Sequence, residues 1–183
     1  MSSNNILHNI WQSYQATVDC FKIAGRSVNR EEYHLLSKTN FIGTPPEKAD
    51  ELIRKSRSDA DDYVILSLWA VFERKLFEYL QRISKKISES NESDFNKKVQ
   101  NKIEDEIEYW KLDAILDLFK VVVSPELIGN AKQVKRYRDW VAHRNPNKGA
   151  PANVPPKSAY DILSHIIECI ETHPDIEDAR KTS

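Results

Sequence analysis

The sequence predicts an all-α protein, an antiparallel helical bundle of four main helices with short accessory helices. Three observations carry this. Only four glycines occur in 183 residues, too few for the turns of an all-β chain. The Lys, Glu, Leu, Ile and Asp content suits helices. Apolar residues recur at helical spacing over long stretches, most plainly from Asp59 to Ile87. The length fits one domain over residues 1–183 with a sizeable core.

The elements follow in order. Asn4 or Asn5 caps a first helix to about Ala24, with Ile6, Ile10, Tyr14 and Val18 on one face and Gly25 ending it. Arg30 to Lys38 forms a short helix, and Thr39 to Pro46 a loop. Thr44-Pro45-Pro46-Glu47 opens a helix toward Ser56 or Ser58, with a bend before the next. Asp59 to Ile87 is the central helix. Its inward positions are Tyr63, Leu66, Trp69 or Ala70, Phe72 or Glu73, Leu76 or Phe77, Leu80, Ile83 and Ile87. Ser88 to Ser93 reads as a turn. Asp94 to Glu108 carries a narrow stripe of Phe95, Val99, Ile103 and Ile107, and Tyr109 to Val123 continues as helix with Trp110, Leu112, Ile115, Leu116 and Phe119. Ser124 caps and Pro125 begins a helix to about His143, which Asn145-Pro146 stops. A Pro-rich loop covers about 145–157. Ser158 caps a last helix to about Glu171, with Tyr160, Leu163, Ile166, Ile167 and Ile170 inward, and Asp175 to Ser183 forms a loose tail.

Composition narrows function. A net charge of −1 provides no global positive field, so any nucleic-acid contact needs a local patch. Cys20 and Cys169 are expected to be reduced, buried thiols. No apolar run reaches membrane-spanning length and the first residues do not begin a signal peptide, so a cytoplasmic protein with no membrane partner is expected. His165 and Cys169 stand at i, i+4 without further ligands, so no metal and no cofactor are expected.

The helix from Ser124 to His143 carries the chemistry. At 100° per residue, Leu127, Ala131, Val134, Arg138, Val141 and Ala142 share one face. A guanidinium in an apolar stripe needs a carboxylate from another helix, an outward reach, or a cleft at an interface. His143 stands about 140° round from Arg138 on an ideal helix. Loosening at Asn145-Pro146 would let the imidazole turn back toward Arg138. Lys132, Lys135, Arg136, Arg138, Arg144 and Lys148 make the stretch basic, opposed locally only by Asp139, with Tyr137 and Trp140 interleaved. Such residues hold phosphates and stack on bases, or else form an ordinary solvated face. Glu104, Asp105, Glu106 and Glu108 read as a solvated acidic face.

Arg138-Asp139-Trp140-Val141-Ala142-His143 resembles the signature of the HEPN superfamily, the higher eukaryotes and prokaryotes nucleotide-binding helical domains. That signature is an Arg, a polar follower, and a His after four to six intervening residues. The sequence also permits Arg136 as the motif arginine. Leu68-Trp69-Ala70-Val71-Phe72-Glu73 looks like the aromatic-Glu stretch of a core helix in several such families. The His-x-Tyr extension of one toxin branch is absent, since Arg144 and Asn145 follow His143.

The resemblance implies metal-independent cleavage of RNA by a homodimer that pools its motifs in one cleft. It implies a toxin or phage-defence effector, restrained by an antitoxin or other regulatory protein. His143 would activate the ribose 2′-hydroxyl or protonate the leaving oxygen, a role suited to imidazole. Arg138 would hold the scissile phosphate, Asp139 would orient one of the two, and Glu73 would pair with Arg138 or remain a surface residue. Lys135, Arg136, Trp140, Arg144 and Lys148 are the candidate RNA contacts. The alternative is a catalytically inactive domain of the same kind that binds RNA, nucleotide or a protein. A further reading is a plain helical interaction protein whose Arg138 is paired inside one subunit.

Overall fold

Between Glu47 and Ser90 the sequence contains neither Gly nor Pro, and nothing there interrupts an α-helix. The computed structural model, which describes residues 6–90, 93–143, 149 and 151–173, is all-α among those residues. Its helices are α1 (Ile6–Asn29), α2 (Tyr33–Leu36), α3 (Pro46–Ser90), α4 (Asp94–Glu106), α5 (Leu112–Leu118), α6 (Pro125–His143) and α7 (Pro156–Glu171). Single 3-10 turns at Ile107–Tyr109 and Phe119–Val121 flank α5.

The expected bend near Ser56 to Ser58 does not occur, and α3 is one helix of 45 residues. Its polar middle is held by Arg54–Asp50 and Arg57–Asp61 ion pairs at i, i+4. Two adjacent aspartates then tie α3 to its neighbours. Asp61 accepts from Tyr14 of α1 at 2.5 Å, and Asp62 from Tyr137 of α6 at 2.7 Å. The helix also continues past the expected stop at Ser88. Serine tolerates this because its hydroxyl can bond back to the helix, as Ser84 does to Gln81 O at 2.9 Å.

α3 serves two apolar clusters. Near its start, Ala49 and Ile53 meet Val28 and Leu36. Further along, Val64, Ile65, Leu68, Trp69, Phe72, Leu76 and Tyr79 enter the main core with Ile115 and Leu116 of α5, Ile128, Ala131 and Val134 of α6, and Leu163, Ile166 and Ile170 of α7. Of the paired alternatives on this helix, Trp69, Phe72 and Leu76 point inward, while Tyr63 is exposed and Val64 takes the inward place. α1, α4, α6 and α7 all pack on α3, and α6 also packs on α7 and α5.

α1 does not stop at Gly25. It reaches Asn29, because Ser27 and Val28 are buried beyond the glycine and docking outweighs a glycine cost of about 1 kcal/mol. The terminator is Glu31. It adopts the left-handed region at φ 54°, its N–H bonds to Val28 O, and that of Glu32 bonds to Ser27 O, the pairing of a Schellman motif. The first helix buries Leu7 and Val18 and half-buries Ile10 and Tyr14, but leaves Ile6 exposed. Arg30 to Lys38 shortens to the single turn of α2.

The expected helix over Tyr109 to Val123 is broken. Ile107 and Leu112 are both buried. The chain re-phases through a 3-10 turn, and Phe95, Val99, Tyr109 and Trp110 are left exposed. α6 starts as the sequence indicates, with Ser124 Oγ accepting from Leu127 N at 3.3 Å. α7 begins at Pro156, ahead of Ser158, with no side-chain cap. Proline's fixed φ and missing N–H make a cap unnecessary there. Cys20 is exposed and Cys169 half-buried, contrary to the expectation of two buried thiols.

Candidate functional site

The buried line of α6 runs through Ile128, Ala131, Val134, Tyr137 and Val141. Arg138 flanks that line, with 27% of its side chain exposed. Ala142 and His143 are exposed, and Leu127 is half-buried. Arg138 therefore lies at the edge of the core.

Its guanidinium is held from two sides. Nη2 donates to Glu73 Oε2 of α3 at 2.7 Å, and Nη1 donates to Asp139 Oδ1 at 2.9 Å. Glu73 Oε2 also accepts from Trp69 Nε1 at 3.1 Å. Trp69 is fully buried, and Arg138 Cζ lies 5.7 Å from its ring centroid, within cation–π range. The pairing expected of Glu73 is formed, and the alternative of a surface glutamate does not hold. Among the described residues, no acceptor takes the Nε–H or the second N–H of either Nη.

Asp139 is also held by Lys135, whose Nζ is 3.0 Å from Oδ2 and 3.7 Å from Asp113 Oδ2 of α5. Lys132 bonds to Asp117 at 2.7 Å. Hydrogen bonds from Lys120 and then Lys132 hold the Asp117 carboxyl below its usual range. The sequence places only Asp139 near the basic stretch. The fold adds Glu73, Asp113 and Asp117 from α3 and α5. Around Arg138 and Lys135, the carboxylates of Glu73, Asp113 and Asp139 outnumber the cations. This corrects the basic patch: much of its charge is offset within the chain.

His143 is the last residue of α6 and is helical. The helix does not loosen before it. By helical geometry His143 leaves α6 about 140° round from Arg138, on the side of Arg136 and Asp139. Among the described residues, no hydrogen bond joins Arg138 to His143. Arg136 is exposed, as the candidate contact role requires. Trp140 is half-buried against the core and tilted on Tyr137, with ring centroids 5.9 Å apart, so only part of its face is open. Arg144, Lys148 and the stop at Asn145-Pro146 lie outside the described residues, as does the tail from Asp175.

Asp113 is the site member that sequence reasoning did not single out; the sequence marks Trp69 as inward and as part of the aromatic-Glu stretch, but not as a partner of Glu73. Trp69 and Glu73 stand at i, i+4, so their shared face was legible. Asp113 carried no comparable signal. Two concavities lie elsewhere. An open groove of about 500 Å³ runs between α1 and α3 past Ile10, Tyr14 and Tyr63, and one of about 230 Å³ is lined by Val28, Leu36 and Phe41. Neither includes Arg138 or His143. Among the described residues, no group of three or more His, Cys, Asp or Glu is placed to hold a metal ion, and no helix is long and apolar enough to cross a membrane. No protein-family model, curated protein or solved structure matches the chain.

Proposed function

We propose that this chain is a metal-independent endoribonuclease of HEPN type, working as a homodimer in the cytoplasm as a toxin or defence effector. The observation that carries the reading is Arg138. It is oriented by Glu73 and Asp139 yet, among the described residues, keeps unbonded N–H groups at a half-open position. Those groups suit a phosphate oxygen. His143, exposed at the end of α6, is the proton-transfer group. In the reaction the 2′-oxygen bonds to phosphorus as its proton passes to imidazole. The bond from phosphorus to the 5′-oxygen breaks, and that oxygen takes a proton. The products are a 2′,3′-cyclic phosphate and a 5′-hydroxyl. Because Arg138 and His143 diverge on α6, a second copy supplies the missing half of each site.

One observation favours a second reading. Among the described residues, the hydrogen bonds of Arg138 go to carboxylates of its own chain, which suits a non-catalytic helical domain that binds RNA, nucleotide or a protein through Arg136, Trp140 and neighbouring side chains. An RNA-cleavage assay in excess chelator separates the two. The ribonuclease reading expects cleavage by wild type and losses of about 100-fold or more in Arg138→Ala and in His143→Ala. Equal cleavage by all three sinks it, and RNA binding without any cleavage selects the second reading.

A further inference from the structure

The Trp69 indole sits at the meeting point of the core and the site. Its Nε1–H and Arg138 Nη2 both donate to one oxygen, Glu73 Oε2, at 3.1 and 2.7 Å. Glu73 is a flexible side chain with about a quarter of its surface exposed, at 26%. Left alone, it would sample several rotamers. Trp69 is fully buried among Leu68, Phe72 and the rest of the main cluster, so its donor has a fixed position. The i, i+4 spacing on α3 brings that donor to the carboxylate. The ring also lies under the guanidinium, 5.7 Å from Cζ. A phenylalanine would keep an aromatic ring there, smaller than indole, but offer no N–H.

We infer that Trp69 is a positioning residue: it locks the Glu73 carboxylate, and through it sets the guanidinium plane of Arg138. Core rigidity is thereby passed to the group that faces solvent, as a preorganised site requires. Asp139, itself gripped by Lys135, fixes the other Nη. The inference rests on Arg138 being the phosphate-holding group of the proposed ribonuclease. Its test therefore has one arm that does not depend on cleavage.

In the first arm, guanidinium N–H exchange of Arg138 is followed by NMR in the full chain, wild type against Trp69→Phe. The brace predicts severalfold faster exchange in Trp69→Phe; unchanged exchange overturns it. Should Trp69→Phe not fold, Glu73→Gln in the wild-type background replaces it. The Trp69 Nε1–H and Arg138 signals then shift together, and an indole shift with a stationary Arg138 overturns the proposal. In the second arm, Trp69→Phe lowers kcat for RNA cleavage about tenfold, while KM stays within roughly twofold. The loss is absent when Trp69→Phe is added to Arg138→Ala. A loss of equal size on the Arg138→Ala background marks Trp69 as merely structural. Arg138→Ala cleaving like wild type would defeat the ribonuclease reading alone, leaving the exchange arm to decide the brace.

Discussion

Removing Glu73 is the most informative single perturbation. In Glu73→Ala, Arg138 loses its α3 partner and the Trp69 indole loses its acceptor. The ion pair is neither fully buried nor free, at 27% and 26% side-chain exposure. It should therefore fall between the surface value of about 0–1 kcal/mol and the buried value of about 3–5 kcal/mol, near 2 kcal/mol. An unsatisfied indole N–H on a fully buried Trp69 costs about 1–3 kcal/mol more. The two share one oxygen and are not additive, so about 2–4 kcal/mol is expected in all. At roughly 3 °C per kcal/mol for a chain of this size, Tm should drop by about 6–12 °C. Glu73→Gln keeps an acceptor for the indole and should lose only about 1–2 kcal/mol. Urea denaturation of wild type, both variants, Arg138→Ala and the double Glu73→Ala/Arg138→Ala variant gives the numbers. A Glu73→Ala loss under about 0.5 kcal/mol, or a coupling to Arg138 indistinguishable from zero, would refute the account of this cluster.

Other expectations follow from single features. Mixing Arg138→Ala with His143→Ala protein should restore about a quarter of wild-type RNA cleavage, since half the dimers are mixed and one of their two sites is intact; no recovery on mixing argues against sites shared between copies. Lys38 is exposed and holds a left-handed φ of 62°, so Lys38→Gly should stabilise by roughly 0.5–1 kcal/mol in urea denaturation, and a loss would contradict the strain. Burial, followed by the hydrogen bond to Asp61, pushes the Tyr14 phenol up to about 12. With the folded pKa above the unfolded one, this stabilisation is complete below about pH 10 and is lost as pH rises toward 12. The stability gap between wild type and Tyr14→Phe should narrow over that window, and one tyrosinate absorbance step near pH 12 should vanish in the variant. Ser124→Ala should destabilise by about 0.5–2 kcal/mol through loss of the cap on α6, read as a lower Tm.

What was legible in the chain is what local physics controls. Ser124-Pro125 marks the start of α6 because a cap and a preorganised φ act within one turn. Leu163, Ile166, Ile167 and Ile170 reveal the inner face of α7 because their spacing is helical. The all-α class follows from such signals, repeated along the chain. Where a helix ends is less local. α1 outruns Gly25 because Ser27 and Val28 find a buried site, and α3 stays whole because Asp61 and Asp62 are gripped by tyrosines from α1 and α6. The site shows the same division. Sequence spacing puts Arg138 within an apolar stripe, where it needs a carboxylate, an outward reach or a cleft, and sets His143 well round the helix from it; the structure moves Arg138 to the edge of the core. The resemblance offers Glu73 as the partner of Arg138, and the tertiary structure forms that pair from α3; only the tertiary structure brings Asp113 of α5 to Lys135. It also surrounds Arg138 and Lys135 with three carboxylates, since charge balance is decided by proximity in space and not in sequence.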